Sequence, residues 1–168
     1  MSGKLDDDDR RFLRMAVELS RSYGDDQDRW PFGAVLVADG EILAQGVNQV
    51  AELHDPAAHA EIMSLRAAGR TLGQPVFKGS VLYSSAEPCP MCLAACYWAS
   101  VSKVVFAATS HDLADYGFRD LAIYGELALP IEQRSIREEA DDDELRQGAV
   151  IAVRDWAQAQ NNHFPGSG

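Results

Sequence analysis

Apolar positions recur along the chain with two different periods, and each change of period marks an element. From Asp9 to Tyr23, Phe12, Ala16, Leu19 and Tyr23 step by three or four, one apolar stripe on a helix that Gly24 ends. Gly33 to Val37 is a short continuous apolar run. Asp39-Gly40 follows it, then Glu41 to Val47, and together they predict a β-hairpin with a tight turn. Asn48 to Ala57 reads as a loop, and Asp55-Pro56 as the N-cap and first-turn pair of a helix running to about Ala68. Gly79 to Ser84 has the pattern of a buried strand, Cys89 to Ala99 of a helix with Pro90 in its first position, and Lys103 to Ala108 of a valine-rich strand. The last helix is expected from Ala140 to Gln160, with His163 to Gly168 as a frayed end.

Strands alternating with helices predict an α/β fold, a central mixed sheet flanked by helices in three layers. The 168 residues suit a single domain, with no repeat and no low-complexity linker. Its parts are an N-terminal helix within 1–30, a core over 31–136 and a C-terminal helix within 137–168. With 46% apolar and 24% charged residues the composition is ordinary for a globular chain. That excludes a disordered chain, a collagen-like fibre and a disulfide-dense mini-protein.

Charge narrows the partners. Fifteen basic residues stand against 26 acidic ones, a formal −11, with no Lys/Arg cluster beyond Arg10-Arg11. Phosphate-bearing partners are held by basic footprints, so nucleic acid and anionic membrane are poor partners and a small substrate fits better. The acidic runs Asp6–Asp9 and Asp141–Glu144 each precede an amphipathic segment and read as helix first turns. No run of about 18 apolar residues predicts a membrane span, and no apolar region near Met1 predicts a secretory leader.

The chemistry gathers in two pieces, His59-Ala60-Glu61 and Pro88-Cys89-Pro90-Met91-Cys92, each at the expected start of a helix. The three cysteines, Cys89, Cys92 and Cys96, lie within eight residues. An odd number so tightly spaced suits a metal site in a reducing compartment, hence cytoplasm, better than a disulfide framework. Cys89 and Cys92 share one side of a first helical turn, where free N–H groups favour thiolates. Two thiolates and the His59 imidazole suit zinc, and three protein ligands leave a fourth position for water. Glu61 is then the natural general base. It lies roughly 200° round an ideal helix from His59, so the two converge only if the metal sits off the helix end. A structural zinc site would need a fourth ligand from Cys96, His54 or His111, and Cys-x-x-Cys alone is also compatible with a redox pair.

The combined His-x-Glu and Pro-Cys-x-x-Cys pattern resembles the cytidine deaminase superfamily. More closely it is similar to that superfamily's bacterial guanine deaminases, over about 31–136. The landmarks are Pro31-Phe32-Gly33-Ala34-Val35, Asp55-Pro56-Ala57-Ala58-His59-Ala60-Glu61, Glu87-Pro88-Cys89-Pro90-Met91-Cys92, Tyr97-Trp98-Ala99, Gly117-Phe118-Arg119-Asp120 and Ile123-Tyr124. The resemblance implies zinc on His59, Cys89 and Cys92, proton shuttling by Glu61 and a second acid at Asp120. It implies substrate contacts from Asn48, Phe32, Trp98, Ala60 and Pro88. It implies a homodimer whose C-terminal segment closes an active site, in some members the partner's. Two features depart from the pattern: Arg119 replaces an acidic residue, and the tail Asn161-Asn162-His163-Phe164-Pro165-Gly166 has no closing tyrosine.

The reading is hydrolytic deamination of a free purine base, guanine to xanthine and ammonia. Its rivals are cytosine, a nucleoside such as guanosine or cytidine, and tRNA adenosine. A non-catalytic zinc module ranks behind them, since it would not need Glu61. Without the resemblance, Asp120 reads as a cap, Asn48 as a turn residue and Trp98 as core.

Overall fold

Asp39 and Gly40 both take positive φ, 51° and 79°, the backbone that a two-residue hairpin turn requires. They join β1 (Gly33–Ala38) to β2 (Glu41–Val47). In the computed structural model, which describes residues 4–21, 30–140 and 143–159, these strands lie in one sheet of order β2-β1-β3-β4. β3 (Val81–Ala86) runs antiparallel to β1, and β4 (Lys103–Ala108) runs parallel to β3. Parallel neighbours need a crossover, and α4 (Pro90–Trp98) supplies it.

Side chains alternate across the sheet, so each strand feeds two cores. Val35, Val37, Tyr83 and Val105 pack on one face with Phe12 and Ala16 of α1 (Asp7–Arg21). Ala34, Leu36 and Leu82 pack on the other with Ala60, Leu65 and Ala68 of α3 (Ala60–Leu72) and Cys96 of α4. Full burial of each Val, Leu or Phe contributes about 1.5–3 kcal/mol. The expected three layers are present. Gly46 sets the spacing between β2 and α3, because a Cβ there would collide with the Ala60 carbonyl.

Several boundaries move, each for a local reason. α1 starts at Asp7, where Asp6 Oδ1 accepts the Asp9 N–H at 2.7 Å; Tyr23 and Gly24 lie outside the described residues. The helix expected from Asp55 begins instead at Ala60. The Asp55 carboxylate accepts the Ala57 N–H at 2.8 Å and meets Arg66 at 3.1 Å, closing a side-chain turn in place of an N-cap. The expected 48–57 loop holds a short helix, α2 (Val50–Leu53). β3 begins beyond Gly79, whose φ of 80° ends the preceding turn. After β4 come α5 (Ser110–Ala114), α6 (Asp120–Ala128), a 3-10 turn over Ile131–Gln133 and α7 (Glu144–Ala159). Thr109 and Asp112 form a reciprocal capping box on α5.

The chain divides into two compact units, Met1–Ala122 and Ile123–Gly168. The first holds the sheet, α1 to α5 and the start of α6. Within the second, Arg134 donates to the Leu127 and Leu129 carbonyls, and Ser135 donates to Glu126. Leu145, Val150, Ile151 and Val153 of α7 are exposed. Among the described residues, no helix is long and apolar enough to cross a membrane.

Candidate active site

His59 and Cys89 adopt the same backbone solution. Each is the N-cap of a helix, with φ/ψ of −69°/156° and −63°/167°. That extended conformation turns their side chains off the helix ends, and the angular objection to His59 and Glu61 converging disappears because His59 stands outside the helix. Cys92 lies in the first turn of α4. His59 Nδ1 is 3.5 Å from Cys89 Sγ and 3.6 Å from Cys92 Sγ, and the three ligand atoms lie within 4.8 Å of one another. Cys96, His54 and His111 are not members of this group. His163 lies outside the described residues.

Protons in this set are shared. A hydrogen bond from the Cys92 thiol, helped by His59, pulls the Cys89 thiol down to about 4 against the cost of its burial. The same bond and burial push Cys92 well up. The bond with Cys89 raises His59 above its ordinary value. One imidazole and two thiols at helix N-termini form a donor set that fits zinc, which with three protein ligands takes water as its fourth.

Glu61 is the second residue of α3 and is 6% exposed. Its Oε1 accepts the Ser84 hydroxyl at 2.9 Å, and its Oε2 lies 3.5 Å from Cys92 Sγ. Burial raises its pKa above the usual carboxylate range. Ala60 and Pro88 are buried beside the ligands.

Asn48 is 3% exposed. Its Oδ1 accepts the Val50 N–H at 3.1 Å, which orients the amide and leaves Nδ2 buried with no partner among the described residues. The Asn48 N–H donates to the Phe32 carbonyl at 3.1 Å and the Gln49 N–H to that of Ala58 at 2.9 Å. Asn48 is thereby tied between Phe32 and the segment leading into His59. Asp120, the first residue of α6, is half-buried, and its pKa is raised by burial and then by the negative charge of Cys89. Glu87 connects the cysteine loop to the chain after β4: its Oε2 accepts the Ser110 N–H at 2.7 Å.

The aromatic surroundings differ from expectation. Phe32 meets Phe118 edge-on at 5.1 Å, Phe118 meets Trp30 at 6.0 Å, and Trp30 meets the His59 ring at 6.4 Å. Trp98 is the last residue of α4, nine residues beyond Cys89, and is 74% exposed; no ring contact joins it to these aromatics among the described residues. Sequence reasoning passed over Trp30 and Ser84. Trp30 directly precedes the Pro31-Phe32 landmark, a usable signal. Nothing in the sequence distinguishes Ser84.

Comparison with known proteins agrees with this geometry. Residues 6–108 match the profile of the cytidine and deoxycytidylate deaminase zinc-binding region. The chain is 46% identical over 125 residues to the guanine deaminase of Bacillus subtilis (strain 168), covering 74% of this chain and 80% of that one. It is 42% identical over 97 residues to the tRNA-specific adenosine deaminase of Agrobacterium fabrum, covering 58% and 63%. The X-ray structure of the Bacillus subtilis guanine deaminase superposes with a TM-score of 0.81 at 40% identity, over 87% of this chain and 93% of that one.

Proposed function

Because the chain belongs to the cytidine and deoxycytidylate deaminase zinc-binding family, we propose that it is a zinc-dependent aminohydrolase converting guanine and water to xanthine and ammonia. His59, Cys89 and Cys92 would hold the zinc, which when bound lowers the pKa of a coordinated water from about 15.7 to about 7. Glu61 takes a proton from water at Oε2, the oxygen beside Cys92, and delivers it to a ring nitrogen of the base. It then carries a proton to the departing amine, with Asp120 as a second carboxyl for that transfer. Burial suits Glu61 to this task, because a raised pKa makes the carboxylate a better proton acceptor that can hold a proton and return it. Phe32, Phe118 and Trp30 offer apolar ring faces and edges to a planar base.

The observation that carries the choice of base is the buried, unpaired Nδ2 of Asn48. It needs an acceptor. Guanine presents two, O6 and N7, along one edge, so an amide donor meets an acceptor anywhere along it, whereas adenine offers N7 alone there beside a donor amino group. A tRNA adenosine is the second reading, carried by the similarity to tRNA-specific adenosine deaminases. The −11 charge, with no Lys/Arg cluster beyond Arg10-Arg11, counts against it.

We further read 1–168 as one deaminase domain, with 137–168 as C-terminal helix and lid, acting as a homodimer in the cytoplasm. Exposed Met91, Tyr97 and Trp98 on α4 and the exposed apolar residues of α7 support pairing, since such patches mark interfaces. Three free thiols support a reducing compartment. Light scattering on the purified chain should return twice the monomer mass.

The test of function is ammonia release by zinc-loaded protein from guanine, cytosine, guanosine, adenosine and a tRNA anticodon stem-loop, with Glu61→Gln alongside. Turnover of guanine that depends on Glu61 supports the proposal. Turnover confined to another amine overturns the substrate and keeps the site.

A further inference from the structure

Ser84 places a hydroxyl in the core beneath α3. It lies within β3, paired with Ala34 on one side and Phe106 on the other, and is 1% exposed. By alternation it shares a sheet face with Leu82, in the core that also contains Leu36, Ala34 and Ala60. A buried hydroxyl is costly there unless it is hydrogen-bonded, and the bond Ser84 makes is to Glu61 Oε1 at 2.9 Å. Glu61 in turn has no Lys or Arg partner among the described residues. Its two oxygens meet Ser84 and the Cys92 thiol.

A glutamate carboxyl turns freely about its last bond, a broad two-fold torsion. The Ser84 hydrogen bond breaks that symmetry by fixing one oxygen against the sheet, which leaves the other facing the His59, Cys89 and Cys92 set. We propose that Ser84 is a positioning residue for the deamination, holding Oε1 of Glu61 so that Oε2 is the oxygen that exchanges protons with water and substrate. This inference rests on Glu61 being the proton shuttle.

Ser84→Ala removes the donor and almost no volume. The expected result is a kcat for guanine lower by about tenfold to a hundredfold, a part of the whole acid–base contribution. KM should stay within about twofold, with unchanged zinc per chain, because no substrate contact is lost. Ser84→Thr, which keeps the hydroxyl, should recover most of the rate. Ser84→Cys, close to serine in size but a weak donor, should lose it as Ala does, and it serves if Ala loosens the core. Apart from turnover, a crystal structure of the zinc-loaded Ala variant should show the Glu61 carboxyl rotated from its place beside Cys92.

The inference is overturned by an Ala variant within twofold of the parent, by a rate loss that only tracks lost zinc, or by a Thr variant no faster than the Ala one. Glu61→Gln in the same assay separates the two levels. An active Gln variant overturns the shuttle itself, whereas an inactive Gln variant beside a fast Ser84→Ala overturns the role of Ser84 alone.

Discussion

Tyr83 and Ser84 are neighbours on β3 that reach to opposite faces of the sheet, and each meets a buried carboxylate. On the α1 face Tyr83 donates to Asp9 Oδ1 at 2.9 Å, and Lys103 Nζ approaches the two Asp9 oxygens at 2.9 and 2.6 Å. Lys103 holds the Asp9 carboxyl below its usual range, and burial together with Asp9 raises the Tyr83 phenol. On the α3 face Ser84 donates to Glu61, no cation among the described residues answers the charge, and burial drives the pKa up. The same group, on helices packed against opposite faces of one sheet, is thus a clamp where Lys103 compensates its charge, and on the other face it is the carboxylate proposed to carry protons. Burial pushes a carboxylate pKa up, and a cation in contact pulls it back down.

Exchanging charge for amide at the two sites should split function from stability. Glu61→Gln is expected to lower kcat for guanine by about 10²–10⁴-fold while keeping zinc, as read by metal analysis. Its melting temperature should hold or rise, because a neutral amide suits a dry site better than an uncompensated carboxylate. A Gln variant that turns over guanine at the parental rate would break the comparison outright.

Next in size is Asn48→Ala, on the reactive face. Removing the buried donor proposed to pair with the base should lower kcat/KM by about tenfold to a hundredfold, measured by steady-state kinetics with folding checked by circular dichroism. Trp30→Ala should raise KM for guanine by about three- to tenfold, the scale of one aromatic contact, with kcat little changed. If Trp98→Ala alters KM as much, the ring cluster around His59 is not the wall of the site.

The smallest effect belongs to the clamp. Asp9→Asn should cost about 1 kcal/mol in urea unfolding at neutral pH, the worth of a partly screened charged hydrogen bond, and should leave kcat untouched. Its pH dependence has a definite sign. The folded pKa of Asp9 lies below the unfolded value, so its contribution is complete above about pH 4–5 and fades as pH falls through the folded value. The gap between parent and variant should therefore be full at pH 6–7 and close in acid. A gap that widens in acid would mean that Lys103 does not compensate Asp9.

Much of the site was legible because its first layer is local. Cys89 and Cys92 are three residues apart with Pro90 between them, and His59 and Glu61 are two apart, so residue types and spacing alone announce the donor set and its carboxylate. The α1 stripe and the Asp39-Gly40 turn were legible for the same reason. Asp55-Pro56 misled because a side-chain turn competes with an N-cap for one carboxylate, and here that carboxylate accepts the Ala57 N–H and also meets Arg66 eleven residues away.

By itself, then, the sequence determined the periodic elements, the alternation that calls for an α/β sheet, and the identity of the metal-fitting residues. Tertiary structure decided what each of them faces. It set His59 outside its helix so that it converges with Cys89 and Cys92 across about thirty residues. It joined Ser84 to Glu61 over 23 residues and Lys103 to Asp9 over 94, and it turned Asn48 Nδ2 into a buried, unpaired donor. Such contacts have no sequence period to betray them. Strand order and helix docking bring the partners together, and only that closure removes the water that would otherwise hide the difference between a clamped carboxylate and a working one.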